Sequence, residues 1–293
     1  MSNFIQNYEI ILKHLQELDI SFNCFKQIRQ PKLSNIELVC INITAEYMGI
    51  DSECQLFRLI ESTSLHGKIE RSVYNRRKRR LFGFLEKVRV KMTESFNERE
   101  NVFIIDSMPL EICKNARANR STICKEDEKS RPNKGYCASQ KTYYYGYKLH
   151  GICSNSGVFQ SLDITPASVH DISILNDVKY QINNCTLLGD MGYLSVDYQL
   201  DLFQSSQIRL ETPMRKNQKG YHKQTYIFRK SRKRIETLYS QLCDQFMIRR
   251  NYAKTFDGFK TRILSKITAL TMIQFLNKFV FDRPINNLKV NLF

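Results

Sequence analysis

The hydrophobic pattern of the chain changes its period near residue 101, and this change limits the folds that the chain can adopt. Before it, apolar residues recur at helical spacing, as over 56–60 and 81–92. After it, short apolar runs rich in β-branched residues alternate with turns, as over 102–105. The sequence therefore predicts a helical N-terminal segment followed by an α/β segment.

The N-terminal segment contains signals for three helices. Ser34 and Glu37 form a capping-box pattern ahead of an apolar helix over 36–48, and Asp51 and Ser52 can cap a second short helix. A third helix is predicted over 70–96. Two short helices followed by a basic one are typical of a helix-turn-helix DNA-binding module. The alternative is a helical bundle whose basic face only contacts water.

The second segment predicts three strands, a helix, a strand, a short connector, a fifth strand and a last helix. The predicted strands cover 102–105, 143–152, 157–165, 185–189 and 208–211, and the predicted helices cover 166–181 and 229–244. The stretch 114–141 is polar and predicts a loop. This order indicates a ribonuclease H-like α/β domain with a mixed five-stranded sheet, whose fourth and fifth strands run parallel to the first.

Two of these strands end in the same way, with an apolar run followed by an aspartate. They deliver Asp106 and Asp190, and if the first and fourth strands are parallel neighbours these side chains lie side by side. Two carboxylates that close repel each other unless a divalent cation lies between them. Oxygen ligands suit Mg²⁺ or Mn²⁺, and two such ions about 3.5–4 Å apart can hold the attacking and leaving oxygens of a phosphoryl transfer.

This chemistry needs a third acid. Glu236 is the best candidate, because its helix follows the fifth strand and is expected to pack back across the sheet near the two aspartates. Glu211 and Glu111 are the rivals, and Glu236 as a simple ion-pair partner of nearby arginines is the alternative reading. His150 and Tyr193 are expected to lie beside the acids without being catalytic.

Positive charge is concentrated in two places. The net charge is +16, and residues 213–293 hold 18 basic and four acidic side chains. A second concentration lies at 71–80, with six basic residues and no acid. A chain this basic favours a polyanion, and the expected partner is double-stranded DNA. The expected DNA-binding residues are Arg71, Arg76, Arg77, Lys78, Arg79, Arg80, Arg229, Arg232, Lys233, Arg234, Arg249 and Arg250.

Several segments resemble a known group of proteins, the DDE transposases of bacterial insertion sequences, and specifically the insertion-sequence 982 family. The similar segments are IDSECQLFRL at 50–59, ERSVYNRRKRR at 70–80, IDSMPLEICK at 105–114, GYCASQKTYYYGY at 135–147, KLH at 148–150, GDMGYLS at 189–195 and RKRIETLYSQLCD at 232–244. The resemblance implies a ribonuclease H-like core in which Asp106, Asp190 and Glu236 bind metal. It also implies that the protein transposes the element that encodes it.

The chain departs from related transposases around the predicted catalytic glutamate. Arg232 matches their arginine, but Arg229 replaces a tyrosine and Cys243 replaces a lysine seven residues after the glutamate. Arg249 or Arg250 is expected to substitute for that lysine. Met191 stands where the family often has a basic residue.

The expected function is binding to terminal inverted repeats, hydrolysis of phosphodiester bonds at the element's ends and joining of the 3′-hydroxyl to target DNA. The predicted domains are a helical DNA-binding domain over 1–98, a catalytic domain over 99–252 and a basic helical extension over 253–293. A nuclease without strand transfer and an inactive DNA-binding repressor are the alternatives. A homodimer on DNA is expected from the need to join two ends.

The remaining signals concern location and cysteines. The absence of a long apolar run and of a signal-peptide pattern predicts a cytoplasmic, nucleoid-associated protein with no membrane partner. The nine cysteines are expected to be free thiols. A metal site at Cys113, Cys124 and Cys137 is an alternative for the polar stretch that contains them.

Overall fold

The computed structural model describes residues 3–18, 20, 30–96, 101–217 and 221–292. The chain divides into two compact units, which are described separately below. The helical unit comprises Met1–Ser95, Gln241–Ala253 and Asp257–Phe293, and the sheet unit comprises Phe96–Ser240 and Lys254–Phe256. The helical unit thus includes C-terminal residues that the sequence pattern assigns to other domains, and the expected boundary at 98 and 99 lies outside the described residues.

The described residues contain nine α-helices. They are α1 (Asn3–Glu17), α2 (Asn35–Tyr47), α3 (Glu53–Glu61), α4 (Arg71–Arg80), α5 (Phe82–Glu94), α6 (Leu175–Val178), α7 (Val196–Ser206), α8 (Tyr226–Asp244) and α9 (Phe256–Phe279).

The start of α2 follows the predicted capping box. The Ser34 Oγ accepts from the Glu37 backbone N–H at 3.2 Å, and the Ser34 backbone N–H donates to the Glu37 carboxylate at 2.7 Å. Ser52 caps α3 in a similar way, accepting from the Gln55 backbone N–H. These local signals were therefore sufficient to place both helix starts.

The predicted single helix over 70–96 is wrong, because the structure ends α4 at Arg80 and begins α5 at Phe82. The four residues from Arg77 to Arg80 occupy the last turn of α4, where the helix dipole stabilises cations. Gly83, in the first turn of α5, lowers helix propensity just beyond the break.

Helix α9 belongs to the core of the helical unit and is buried along most of its length. The Lys266 ammonium binds the Glu46 carboxylate at 2.6 Å, and both side chains are almost inaccessible to solvent. One turn away, the Asn42 amide donates to the Ser265 hydroxyl at 2.6 Å. Paired polar groups therefore hold α9 against α2.

The sheet has six strands in the described residues, one more than the sequence predicts. They are β1 (Val102–Cys113), β2 (Asn133–Cys137), β3 (Thr142–Ser154), β4 (Phe159–Pro166), β5 (Cys185–Leu188) and β6 (Ile208–Glu211). Strand β1 lies between β3, which is antiparallel to it, and β5, which is parallel. Strand β6 pairs parallel with β5, while β2 and β4 both pair antiparallel with β3. The sheet is therefore mixed.

The extra strand, β2, lies inside the stretch 114–141 that the pattern predicts to be a loop. Its polar residues give no strand signal, and it is formed by pairing with β3. Gly135 of β2 packs so closely on the Ala167 backbone that an added Cβ would lie 2.5 Å from the Ala167 oxygen. A tertiary contact, and no local preference, decides this strand.

The predicted helix over 166–181 is also wrong in extent. Pro166 ends β4, where it pairs with Tyr147, so it does not open a helix. A short 3₁₀ turn at Asp171–Ile174 and the single-turn α6 follow instead. The connector between β5 and β6 contains α7, a helix of 11 residues that the pattern missed.

One face of the sheet packs on α6 and α7. Phe103 and Ile105 of β1 join a buried apolar cluster with Leu175 and Leu202 from these helices. Because side chains alternate along a strand, Ile104 and Asp106 point to the opposite face. The described helices include none that is long and apolar enough to cross a membrane.

Candidate active site

Asp106 lies within β1, which continues to Cys113 and does not end at Asp106 as the sequence pattern predicts, because its pairing with β3 extends it; Asp190 lies just beyond the end of β5. In the pairing of β1 with β5, Ile104 is opposite Leu188, and each aspartate follows two residues later. Asp190 leaves the strand and begins a short turn, where its Oδ1 accepts the Gly192 backbone N–H at 2.7 Å. The register thus brings the two predicted acids together beside the end of β5.

The environment of Asp106 opposes its ionisation. Burial raises the pKa of this carboxyl to about 7, and the neighbouring charge of Asp190 adds to the increase. The Ser107 backbone N–H and the Arg232 guanidinium act in the opposite direction, by hydrogen bonding and by charge. A carboxyl with a pKa near neutrality at such a position is typical of a functional site.

Helix α8 covers the face of the sheet to which Asp106 points. The Tyr239 hydroxyl donates to the Asp106 backbone oxygen at 2.7 Å. Gly151, which pairs with Asp106 across β1 and β3, faces the same helix, since an added Cβ there would lie 2.8 Å from the Tyr239 hydroxyl. Residues directly opposite in a sheet share a face. The glycine therefore lets α8 approach the sheet beside Asp106.

Glu236 lies on α8 between Arg232 and Tyr239, one turn from each. Its side chain is exposed, whereas Arg232 is partly buried near Asp106. Within the described ranges, no group of three or more histidine, cysteine, aspartate or glutamate side chains could hold a metal ion. The structure therefore brings two of the three predicted acids together and carries Glu236 on the helix that covers them.

The two rival acids occupy different surroundings. Glu211, at the end of β6, pairs with Arg209 at 2.6 Å, and Glu111 is exposed on β1. Glu211 is opposite Leu188 in the parallel register of β5 and β6. Glu236 remains the preferred candidate, because it lies on the helix whose Tyr239 binds the Asp106 backbone and whose Arg232 lies near the Asp106 carboxylate.

A further acid, Asp171, lies near the pair and was not singled out by the sequence pattern. Its Oδ1 accepts the Ser107 hydroxyl at 2.9 Å and the Lys148 ammonium at 3.0 Å. Its negative charge also contributes to the raised pKa of Asp106. The only sequence signal was its position beside His170 within the predicted helix over 166–181, which does not distinguish it from other surface acids.

His150 and Tyr193 are both buried, His150 beside Asp171 and Tyr193 near Asp171, Asp106 and Asp190. His150 Nε2 shares a hydrogen bond of 2.8 Å with the Thr165 hydroxyl, and burial lowers the pKa of the imidazole to about 4. Tyr193 packs against Gly189. Burial is the main cause that raises the pKa of its phenol, and the negative charges of Asp171, Asp106 and Asp190 raise it further. His150 is therefore a neutral group at physiological pH.

The basic residues of α4 fall into two sets. Arg71, Arg76 and Arg80 are exposed, and Arg79 is partly exposed. Arg77 donates to the Leu33 backbone oxygen and the Asn35 side chain, and Lys78 binds Glu53 at 2.7 Å. Arg77 and Lys78 thus hold the helical unit together, so DNA binding is not the only explanation for the basic run.

The basic residues of α8 also separate. Arg232 is near Asp106, whereas Lys230, Lys233 and Arg234 line a cavity of about 530 Å³ beside Asn155. Arg229 is exposed. Arg249 and Arg250 lie beyond α8 and are exposed in the helical unit. Of the arginines that the sequence analysis proposed for DNA binding, Arg232 is therefore the one whose charge reaches Asp106.

The cysteines in the polar stretch lie in different environments. Cys124 is buried, and its backbone N–H donates to the Lys254 oxygen at 2.8 Å. Burial raises the pKa of its thiol to about 11. Cys113 and Cys137 are partly exposed, and the three form no metal-binding group among the residues described. The geometry thus gives no support to the zinc alternative.

The donor set at the sheet edge fits a hard divalent cation. Asp106 and Asp190 offer carboxylate oxygens, the ligands preferred by Mg²⁺ and Mn²⁺. A carboxylate whose ionised form is destabilised by burial and by a second acid gains most from a nearby cation. These two residues could therefore hold such an ion, with Glu236 as the third candidate.

Comparisons with known proteins place this geometry in a family. Searches of the curated proteins and of the solved structures found no match. Residues 97–272 match the family described as transposase DDE domain. The matched residues include β1 to β6, both aspartates, Glu236 and much of α9. Since the match covers more than half of the 293 residues, the chain belongs to the family of transposase DDE domains.

Proposed function

We propose that this DDE transposase moves an insertion sequence of the 982 family. It would bind the terminal inverted repeats of its element, hydrolyse a phosphodiester bond at each end and join the freed 3′-hydroxyl to target DNA. The catalytic residues in this proposal are Asp106, Asp190 and Glu236, on a ribonuclease H-like core. The strand order and directions of β1, β3, β4, β5 and β6 support that fold class.

The observation that carries the proposal is the register of β1 with β5. It aligns Ile104 with Leu188, so two aspartates separated by 83 intervening residues in sequence each lie two positions beyond an aligned pair. An isolated acid at a strand end is common, but an aligned pair in which one member has a pKa raised to about 7 by burial and its neighbour is typical of an active site.

The chain's own residues have distinct roles in this mechanism. Asp106 and Asp190 would hold two Mg²⁺ or Mn²⁺ ions, with Glu236 completing the sites. When bound, these ions supply charge neutralisation at the scissile phosphate and activation of the attacking hydroxyl. Arg232 would bind a phosphate oxygen of the DNA beside Asp106 and hold the DNA backbone in position for in-line attack. Tyr239 holds α8, and with it Arg232 and Glu236, beside the strand.

Glu236 requires a change of environment for this role. Its exposed side chain lies on the same helix as Arg232 and Tyr239, on the face of the sheet to which Asp106 points. Binding of a cation and of DNA phosphates would favour a rotamer directed at the two aspartates, since both supply attractive charge or ligands. The proposal thus needs a side-chain movement and no change of fold.

Recognition of the element's ends is assigned to the helical domain over 1–98, with helices α2, α3 and α4 as a helix-turn-helix module. The exposed Arg71, Arg76 and Arg80 support contact with phosphates. Lys230, Lys233 and Arg234 would contact DNA from the cavity that they line. Joining two ends would use two copies of the chain.

The test uses the full-length protein and duplex DNA carrying the sequences that flank its gene. Wild-type protein with Mg²⁺ should cleave at the repeat ends, and a pre-cut end should be joined to plasmid DNA. Asp106→Asn and Glu236→Gln should abolish both reactions while leaving end binding within about twofold. Asp197→Asn, which changes an exposed aspartate at the start of α7, is the matched control and should remain active.

The outcomes separate the alternatives. Cleavage without joining of the pre-cut end would indicate a nuclease, and specific binding with neither reaction would indicate a repressor. Full activity of Asp106→Asn would remove Asp106 from the mechanism. Full activity of Glu236→Gln would instead transfer the third role to another acid.

A further inference from the structure

We propose that Asp171 is a positioning residue for Asp106, and that it acts through the side chain of Ser107. The inference rests on the proposed function, because it takes Asp106 as a metal ligand. It concerns a residue outside the predicted trio of acids.

The first step is the connection between the three residues. Ser107 follows Asp106 directly, and its backbone N–H hydrogen-bonds to the Asp106 carboxylate. The Ser107 hydroxyl donates to Asp171 Oδ1 at 2.9 Å. One residue therefore bonds Asp106 through its backbone and Asp171 through its side chain. Fixing the side chain of Ser107 restrains the N–H group that orients the carboxylate.

The second step is the anchoring of Asp171 itself. The Lys148 ammonium binds Asp171 Oδ1 at 3.0 Å and the Val169 backbone oxygen at 2.9 Å. Both bonds start from a single side chain on β3, which pairs with β1 in this region. Lys148 therefore fixes the turn that carries Asp171 at two points. Asp171 is 64 residues from Ser107 along the chain, so this contact depends on the fold.

The third step is the charge around Asp171. His150 Nδ1 lies 4.0 Å from Asp171 Oδ1, but burial keeps the imidazole neutral and its Nδ1 has no hydrogen-bond partner in the described part of the chain. Lys148 is thus the cation that binds Asp171 directly.

A second lysine–aspartate ion pair in the sheet unit provides a comparison for the pair of Lys148 and Asp171. Lys179 binds Asp201 at 3.0 Å, the same distance as between Lys148 and Asp171, and both pairs have partly exposed side chains. In the described part of the chain, no hydrogen bond or ion pair links Asp201 to Asp106 or Asp190. Asp201 is therefore a matched control for the effect of removing a lysine-bound aspartate.

The test is calorimetric titration of Mn²⁺ into the metal-free, full-length protein. Asp171→Ala and Ser107→Ala should each weaken Mn²⁺ binding by roughly ten- to a hundredfold, the effect of losing a group that orients a metal ligand. Asp171→Asn should stay within a fewfold of wild type, because its amide oxygen can still accept the Ser107 hydroxyl. Asp201→Ala should bind Mn²⁺ like wild type.

The double variant Ser107→Ala/Asp171→Ala should bind no more weakly than either single variant, since both remove the same link. Thermal unfolding of each variant is measured first. If Asp171→Ala fails to fold, Ser107→Ala decides, because it leaves the ion pair with Lys148 in place. Unchanged Mn²⁺ affinity of Ser107→Ala, or equal weakening by Asp201→Ala, would overturn the inference.

The two proposals fail in different ways. If wild-type protein binds no Mn²⁺, the proposed function and this inference both fall. If wild type binds Mn²⁺ and Asp106→Asn abolishes binding, the proposed function survives. In that case, wild-type affinity in Asp171→Ala and Ser107→Ala would overturn the role of Asp171 alone.

Discussion

Glu46 in the helical unit and Asp106 in the sheet unit are both carboxylates withdrawn from water, yet their surroundings differ. Glu46 forms a direct ion pair of 2.6 Å with Lys266, and both partners are nearly inaccessible. Asp106 faces a second acid, Asp190, and its pKa is raised to about 7 by burial and by that neighbour. The first carboxylate is neutralised by a lysine of the same unit, while the second lies beside a like charge.

This difference teaches how a structural charge can be distinguished from a functional one. A buried pair whose geometry is complete needs nothing more to be stable, although it contributes less than its Coulomb attraction suggests. A buried acid beside another acid is unfavourable in the isolated protein and becomes favourable when a cation binds. The comparison predicts opposite consequences for removing the charge in the two units.

The largest effect is expected from breaking the pair in the helical unit. Lys266→Met should lower the free energy of unfolding by about 3–5 kcal/mol, because it leaves the Glu46 charge buried and unpaired. Denaturant titration measures this change, and Lys91→Ala, which breaks the exposed pair with Glu94, should cost about 0–1 kcal/mol. The double variant Lys266→Met/Glu46→Leu should recover most of the loss. A double variant as unstable as the single one would contradict this account of Glu46.

The opposite sign is expected for Asp106. Asp106→Asn should raise the free energy of unfolding of the metal-free protein at pH 8 by about 2–4 kcal/mol, since the folded chain no longer has to ionise a buried carboxyl. Below pH about 4 this carboxyl is protonated in both states, and its contribution to stability is fully present. That contribution is lost as the pH rises through about 7.

The measurement compares wild type with Asp106→Asn by denaturant titration between pH 4 and pH 8. Taking the difference cancels the opposite contribution of His150, whose lowered pKa makes stability rise with pH up to about 6.5. The gap between the two proteins should widen with pH and shrink again in wild type when Mg²⁺ is added. A gap that does not depend on pH would mean that Asp106 is not a strained acid.

A smaller effect tests what buries Asp106. Gly151→Ala places a Cβ 2.8 Å from both the Tyr239 hydroxyl and a ring carbon of Phe159, so it should cost about 1–3 kcal/mol by overpacking. It should also move α8 from the strand and lower the pKa of Asp106. Gly83→Ala is the control, because an added Cβ there meets nothing within 4 Å. An equal loss from both changes would argue against close packing of α8 at this point.

The smallest effect is expected from Tyr239→Phe. This change removes only the hydroxyl that donates to the Asp106 backbone oxygen at 2.7 Å, and it should cost about 1 kcal/mol in the free energy of unfolding. Strand transfer should fall more than end binding, because Arg232 and Glu236 share this helix. Equal losses in binding and in strand transfer would show that the hydroxyl is needed only for folding.

Much of the local structure could be predicted from the sequence. The capping box of Ser34 and Glu37, the start of α3 and the apolar runs before Asp106 and Asp190 depend on residues within a few positions of each other. The predicted end of the first strand at Asp106 was wrong, because pairing with β3 extends β1 to Cys113. The strand β2 and the helix α7 were missed. Strand β2 exists because β3 pairs with it, and its own residues lack an alternating pattern.

The candidate site shows the same division. Its acids were visible in sequence because each follows an apolar run, whereas Asp171 follows a polar turn and gave no comparable signal. The sequence predicted Arg77 and Lys78 as DNA-binding residues, and the structure uses both in contacts within the helical unit. Charge alone does not reveal which basic side chains are occupied by partners of the same chain.

The sequence by itself determined the change of hydrophobic period near residue 101, the helix caps and the apolar runs that precede Asp106 and Asp190, because these depend on short-range sterics and hydrogen bonding. Only the tertiary structure decided that β1 continues past Asp106, that the register brings Asp106 and Asp190 together, that Tyr239 binds the strand 133 residues before it and that Asp171 reaches Ser107. Contacts at such separations arise from the pairing register and from packing, which no short stretch of sequence specifies.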